Sequence, residues 1–255
     1  MSQLQKAISR TQRRETTGGL GFGTARKEQP KAMLAGVVAT DGAAAKALLE
    51  AGADLILIRA KDAAGALKAL KAVATNKVCI GVHVSALDAA GAEALSAANC
   101  DFVVSPLGST AAAALDTDRM GHVLVAGPEL EDTTLRALGP LGLDALFVEP
   151  EAGAMTLAGQ LALVRLSSFT STPLLVATPA DTPVAELRVL RDSGVAAVIA
   201  PEGTTVKHLE AMIANLKAVP APKKGKREGN DMAIVPSMSA GHASEEDDDG
   251  EEDDE

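Results

Sequence analysis

The sequence predicts an α/β fold, a compact (β/α)8 barrel with disordered termini, on three observations. Between residues 32 and 217, eight short apolar runs alternate with eight stretches of helical composition, repeating about every 20 to 25 residues. The runs are nearly continuous in apolar residues, as parallel strands covered on both faces require. No run carries an edge device such as a strand proline or an inward lysine, so the eight strands are expected to close on themselves. An open doubly wound sheet is the alternative.

The units follow in order. MLAGVVAT (33–40) is the first strand, and DGAAAKALLEAG (41–52) its helix, capped by Asp41 and ended by Gly52. DLILIRA (54–60) leads to a helix at 62–74, and KVCIGVHV (77–84) to one at 86–98 that opens near Ser85. CDFVVSP (100–106) precedes a short alanine-rich helix at 109–115, opening at Ser109. HVLVAG (122–127) is followed by a helix at 131–139, and DALFVEP (144–150) by one at 155–167. PLLVATP (173–179) leads to a helix at 182–193, and VAAVIAP (195–201) to the last, 204–217, with Thr204 as its cap or near-cap. Eight such units fit a small TIM barrel with short loops.

Composition bounds the rest. Hydrophobic residues are 47% of the chain, yet there is no Trp, no Tyr and only four Phe. Small aliphatic side chains suit helices lying close on a sheet, and they offer no aromatic platform for stacking bases, which disfavours a nucleic-acid partner. The formal net charge of −10 resides in the tail. Glu245 to Glu255 hold ten acidic residues, and without them the 34 acidic residues fall to 24, matching the 24 basic ones. The first 31 residues carry seven Lys or Arg against two Glu. The sequence therefore divides into a basic flexible arm (1–31), the barrel (32–217), a basic linker with a short apolar segment (218–243) and an acidic disordered tail (244–255). The glycine-dotted GGLGFGTAR lacks the strand and helix of a nucleotide loop and reads as a flexible lead-in. Cys79 and Cys100, without CxxC spacing, are expected buried and reduced. No signal-like or membrane-spanning run is evident, and the expected location is the cytoplasm.

Chemistry in such barrels sits where strands end and βα loops begin. The polar residues there are Thr40 and Asp41; Arg59, Lys61 and Asp62; His83 and Ser85; Ser105; Glu129; Glu149 and Glu151; Thr178 and Asp181; and Glu202 and Thr204. Arg59 and His83 stand out because each interrupts an apolar strand near its end. A cation in a barrel mouth needs a carboxylate or an anionic ligand, and Glu149 is a suitable partner. His83 and Glu149 are the candidate acid–base groups, Arg59 and Thr204 the candidate substrate ligands. Asp41, Glu149 and Glu202 offer hard oxygens for Mg²⁺ only in a weak pattern, so no metal site is assigned, and no cofactor is expected. The loops after strands seven and eight, ATPADTP and APEGTT, hold prolines and acids where a phosphate cradle needs free amides.

Over residues 45 to 151 the chain resembles the 2-keto-3-deoxy-6-phosphogluconate aldolases, class I Schiff-base enzymes on a (β/α)8 barrel. ALLEAGADLILIRAKD, IGVHVSALDAAGAEALSAANCDFVVSP and LVAGPELEDTTLRALGPLGLDALFVEPEA carry the resemblance. It implies that Arg59 stands near the arginine that binds the substrate's acidic end. The lysine those enzymes carry three residues before the proline of strand six is here Phe147, which cannot attack a carbonyl. The glycine pair after strand seven is Pro179 and Ala180. The first expectation is therefore a divergent aldolase-like barrel, non-catalytic or repurposed as an assembly or interaction protein, its charged arms meeting a protein partner or a second copy. The alternative is a lyase or isomerase acting on a small keto acid, a carboxylate ligand, through a rebuilt and metal-assisted site.

Overall fold

The computed structural model describes residues 2–16, 31–39, 41–73, 79–150 and 153–220. Eight strands close into a barrel in the order β1 to β8, every neighbouring pair parallel. They are β1 (Leu34–Ala39), β2 (Leu55–Arg59), β3 (Cys79–His83), β4 (Phe102–Pro106), β5 (Gly121–Val125), β6 (Ala145–Val148), β7 (Leu174–Ala177) and β8 (Val195–Ala200). The closing pair sets Leu34 opposite Ala197 and Val37 opposite Ala200. The helices are α1 (Gln3–Thr16), α2 (Gly42–Glu50), α3 (Ala63–Val73), α4 (Ala89–Ala97), α5 (Asp132–Leu138), α6 (Leu157–Thr170), α7 (Val184–Asp192) and α8 (Val206–Ala218).

Strand alternation sorts the apolar residues into two cores. One set, including Leu34, Leu57, Phe102, Val123, Phe147 and Ile199, fills the barrel. The other, including Val37, Ile56, Val82, Leu146 and Val198, faces the helices. Glycines in the wall make room for the large interior side chains. A Cβ on Gly81 would lie against the Phe102 ring, and one on Gly36 against Leu55 and Ile199.

The acid that opens a strand has a structural task. Asp54, just before β2, accepts the Ala35 amide at 2.8 Å, and Asp101, before β4, accepts the Ile80 amide at 2.8 Å. Each satisfies a backbone donor near the start of the preceding strand. Lys31 pairs with Asp54 at 2.6 Å.

The structure departs from expectation in three places. Residues 3–16, expected within a flexible arm, form α1. Leu4 is fully buried and Ile8 nearly so, in the same cluster as the barrel interior. The two lie four residues apart, on one helix face, and stopper the barrel end opposite the βα loops. Second, no α-helix covers unit four. Two 3₁₀ turns, Leu107–Ser109 and Ala112–Ala114, take its place. The alanine run is short, neither turn has a side-chain cap, and helix nucleation is costly. Third, two caps shift. Asp88, rather than Ser85, caps α4 by accepting the Gly91 amide, and Thr205, rather than Thr204, caps α8. Asp41 caps α2 as expected, and Gly52 follows that helix with φ +97°. Cys79 and Cys100 are buried free thiols, and burial pushes both well above the usual thiol range. The GGLGFGTAR stretch, the apolar segment after residue 230 and the acidic tail lie outside the described residues. No helix among the described residues is long and apolar enough to cross a membrane.

Candidate functional site

Arg59 is the last residue of β2. It shares parity with Leu55 and Leu57, both in the interior cluster, and so projects into the barrel mouth. Its register partner across β3 is His83. Glu149 directly follows β6 and shares parity with the interior residues Ala145 and Phe147. The barrel brings these groups together from units two, three and six. Arg59 Nη2 donates to Glu149 Oε1 at 2.7 Å. The two side chains remain 50% and 51% exposed, so the pair is open to solvent and contributes only about 0–1 kcal/mol to stability.

His83 lies deeper. Its ring meets Phe147 edge-on, with centroids 5.4 Å apart and planes at 65°. Phe147, the residue standing at the lysine position of the aldolase pattern, is buried and supports the imidazole. His83 Nδ1 is buried without a hydrogen-bond partner. Burial holds the His83 pKa below the usual histidine range, the Arg59 charge pushes it further down, and Glu149 pulls it partly back. A neutral imidazole next to a solvent-open guanidinium–carboxylate pair has the charge pattern of an acid–base site for a small anion.

The remaining candidates do not join this cluster. Thr204 donates both its amide, at 3.3 Å, and its hydroxyl, at 2.7 Å, to the Pro201 carbonyl. Its hydroxyl proton is thus committed to that turn, which leaves only the oxygen lone pairs for a ligand. Asp41 and Asp62 accept the amides of Ala44 and Gly65 as helix-start residues. Ser105 is buried and accepts the Thr110 hydroxyl at 2.8 Å. Thr178 is buried with its hydroxyl unpartnered. Among the described residues no three His, Cys, Asp or Glu side chains gather closely enough to hold a metal ion, so Asp41, Glu149 and Glu202 do not form one. Thr40 and Glu151 lie outside the described residues.

One residue escaped the sequence reading. His122, in β5, is 1% exposed and faces outward, opposite in parity to Val123 of the barrel interior. HVLVAG reads as an apolar run, and only its parity would have set a histidine in the helix-facing layer.

No protein-family model matches the chain, and no curated protein matches it. Solved structures do. The ligand-free tryptophan synthase from M. tuberculosis matches with a TM-score of 0.62 at 16% identity, over 86% of this chain and 99% of that one. Another crystal form of the M. tuberculosis enzyme gives 0.63 at 17%, over 87% and 99%. Its aminoacrylate-bound form gives 0.61 at 15%, over 86% and 99%. At these identities the likeness shows the (β/α)8 fold alone. The sequence resemblance to keto-acid aldolases is thus matched at the level of the barrel.

Proposed function

We propose that the chain is a lyase or isomerase acting on a small keto acid at the C-terminal mouth of its barrel. One observation carries the reading: Arg59, His83 and Glu149 meet at that mouth, and the charged pair is half open to solvent. The structural neighbours support it, since tryptophan synthase is an enzyme with this barrel and shares most of its length with this chain. The competing reading, an assembly subunit working through charged arms, rests largely on residues outside those described.

In this reading Arg59 holds the substrate carboxylate and exchanges part of its contact with Glu149 for it. A proton leaves the carbon next to the keto group and passes to His83 or Glu149. The electron pair moves onto the carbonyl oxygen as an enolate. With a hydroxyl on that carbon, the hydroxyl proton leaves as the first proton returns to the old carbonyl carbon, which moves the keto group one carbon along and completes an isomerisation. In the lyase direction the base instead takes the proton of a hydroxyl one carbon further out, the carbon–carbon bond breaks to release an aldehyde, and its electron pair forms the same enolate, which is then protonated on carbon. Burial and the Arg59 charge keep the imidazole neutral, which leaves a ring nitrogen free to take up the proton.

The shared enolate is tested by exchange of the C3 protons of 2-oxobutyrate for solvent deuterium, followed by NMR with and without Mg²⁺. The full-length protein should exceed the buffer rate. His83→Asn or Glu149→Gln should cut the excess by about 10²–10⁴-fold, and Arg59→Gln should raise KM more than it lowers kcat. Exchange no faster than buffer, or a rate that ignores all three substitutions, overturns the proposal.

A further inference from the structure

His83 presents two unlike nitrogens. Nδ1 is buried and has no hydrogen-bond partner. The residue as a whole keeps partial exposure, on interior parity at the end of β3 and in register with Arg59. Nε2 also lacks a partner among the described residues, but it is not sealed, so the open edge of the ring is the one that carries Nε2.

A neutral imidazole has one N–H and one lone pair. On Nδ1 the N–H is a buried donor without an acceptor, which is costly and rare in native structures. On Nε2 it meets water or a ligand. The ring therefore holds its proton on Nε2 and leaves the bare lone pair on Nδ1. An imidazolium carries an N–H on both nitrogens, and so again on the sealed one. The nitrogen free to take up a proton is thus the one that no substrate carbon reaches. Glu149 has the complementary property. Its side chain is half exposed, and its Oε1 already accepts from Arg59 at 2.7 Å.

We propose that the mouth divides the work between these two groups: His83 donates a hydrogen bond from Nε2–H to the keto oxygen, and Glu149 is the one base. The assignment rests on the keto-acid reading of the mouth and narrows it. As Arg59 turns to the substrate carboxylate, the Glu149 carboxylate takes the proton from carbon 3. The C–H pair becomes the C2–C3 double bond, and the carbonyl π pair moves onto oxygen. The hydrogen bond from Nε2–H strengthens as that oxygen gains charge, and the His83 proton is never transferred. Glu149 then returns its proton to carbon. Neighbouring strands lie about 4.8 Å apart, so Arg59 and His83 suit a carboxylate and a carbonyl on adjacent carbons. That spacing selects a 2-keto acid over an anion without a carbonyl.

The test starts without substrate. The full-length protein is labelled with ¹⁵N-histidine, and the His83 ring, one of four histidines, is identified by its loss in His83→Gln or His83→Asn. Two-bond proton–nitrogen correlations at about pH 7.5 show which nitrogen carries the proton. Nε2–H is expected. Nδ1–H, or an imidazolium, overturns the assignment and leaves the keto-acid reading standing. Next, 2-oxobutyrate should move the Nε2–H signal saturably, and butyrate, which lacks the keto oxygen, should leave it in place. A signal unmoved by 2-oxobutyrate at about 10 mM overturns the His83 role: alone if the protein still exchanges deuterium into 2-oxobutyrate, and together with the keto-acid reading if it does not. Butyrate moving the signal as far overturns the role alone. In the exchange assay His83→Gln sets an amide N–H near the place of Nε2 and should be at least about tenfold faster than His83→Asn, while Glu149→Gln should lose nearly all exchange. Equal rates in the two folded His83 variants, or near-native exchange by Glu149→Gln, overturn the division of labour.

Discussion

Leu4→Ala is the sharpest test of how the barrel is closed at its lower end. Leu4 is fully exposed to solvent in any account that treats the first 31 residues as a loose arm. In the structure it is fully buried, and with Ile8 it joins the cluster that fills the barrel. Truncating a buried leucine to alanine costs about 2–5 kcal/mol, and the spread depends on how well the surroundings collapse. Leu4 sits under a single helix at a barrel end, where α1 can settle toward the gap, so the lower part of that range, about 2–3 kcal/mol, applies. For a chain of this size each kcal/mol moves Tm by about 2–4 °C, giving a drop of about 4–12 °C. The chain has neither Trp nor Tyr, so the melt is best followed by far-ultraviolet circular dichroism or calorimetry. Lys6→Ala, on the exposed side of the same helix, is the control and should stay within about 0.5 kcal/mol. A Leu4→Ala melt indistinguishable from that of Lys6→Ala would falsify the stopper.

Two further outcomes follow from packing and titration. Gly81→Ala should destabilise by about 1–3 kcal/mol in denaturant unfolding, because the new methyl group lands on the Phe102 ring; Phe102→Leu should relieve part of that cost, and strict additivity of the two would contradict the contact. Burial depresses both His83 and His122 below the ordinary histidine pKa. The unfolded chain then takes up protons that the folded chain refuses as pH falls through about 6.5. Stability should be full above that pH and decline below it, until the depressed folded values are reached. His83→Asn should flatten the decline measured by calorimetry between about pH 7.5 and 5.5, and an unchanged slope would refute the assignment to His83.

Much of the candidate site's geometry was legible because barrel geometry turns strand order into position. Arg59 and Glu149 are 90 residues apart in sequence, yet each ends a strand on interior parity, and the closed ring makes them meet. Histidine 83 followed from the same parity. Thr204 lies apart from that cluster, its hydroxyl donating to the Pro201 carbonyl, a local competition that spacing does not reveal. His122 was missed for the opposite reason. Its burial depends on what packs over the outer face of β5, and the apolar run HVLVAG does not display that.

The sequence by itself determined the eight-unit rhythm, the apolar strands and the charge-bearing ends of those strands. These depend on local periodicity and on residue type, which the chain states directly. Tertiary structure alone decided that residues 3–16 form a helix, since its mean character is polar and only the open barrel end offers Leu4 and Ile8 a place to bury. It also decided that His83 and His122 each leave Nδ1 without a partner. Such outcomes depend on what stands across a gap in space, and no single stretch of sequence carries both sides of that gap.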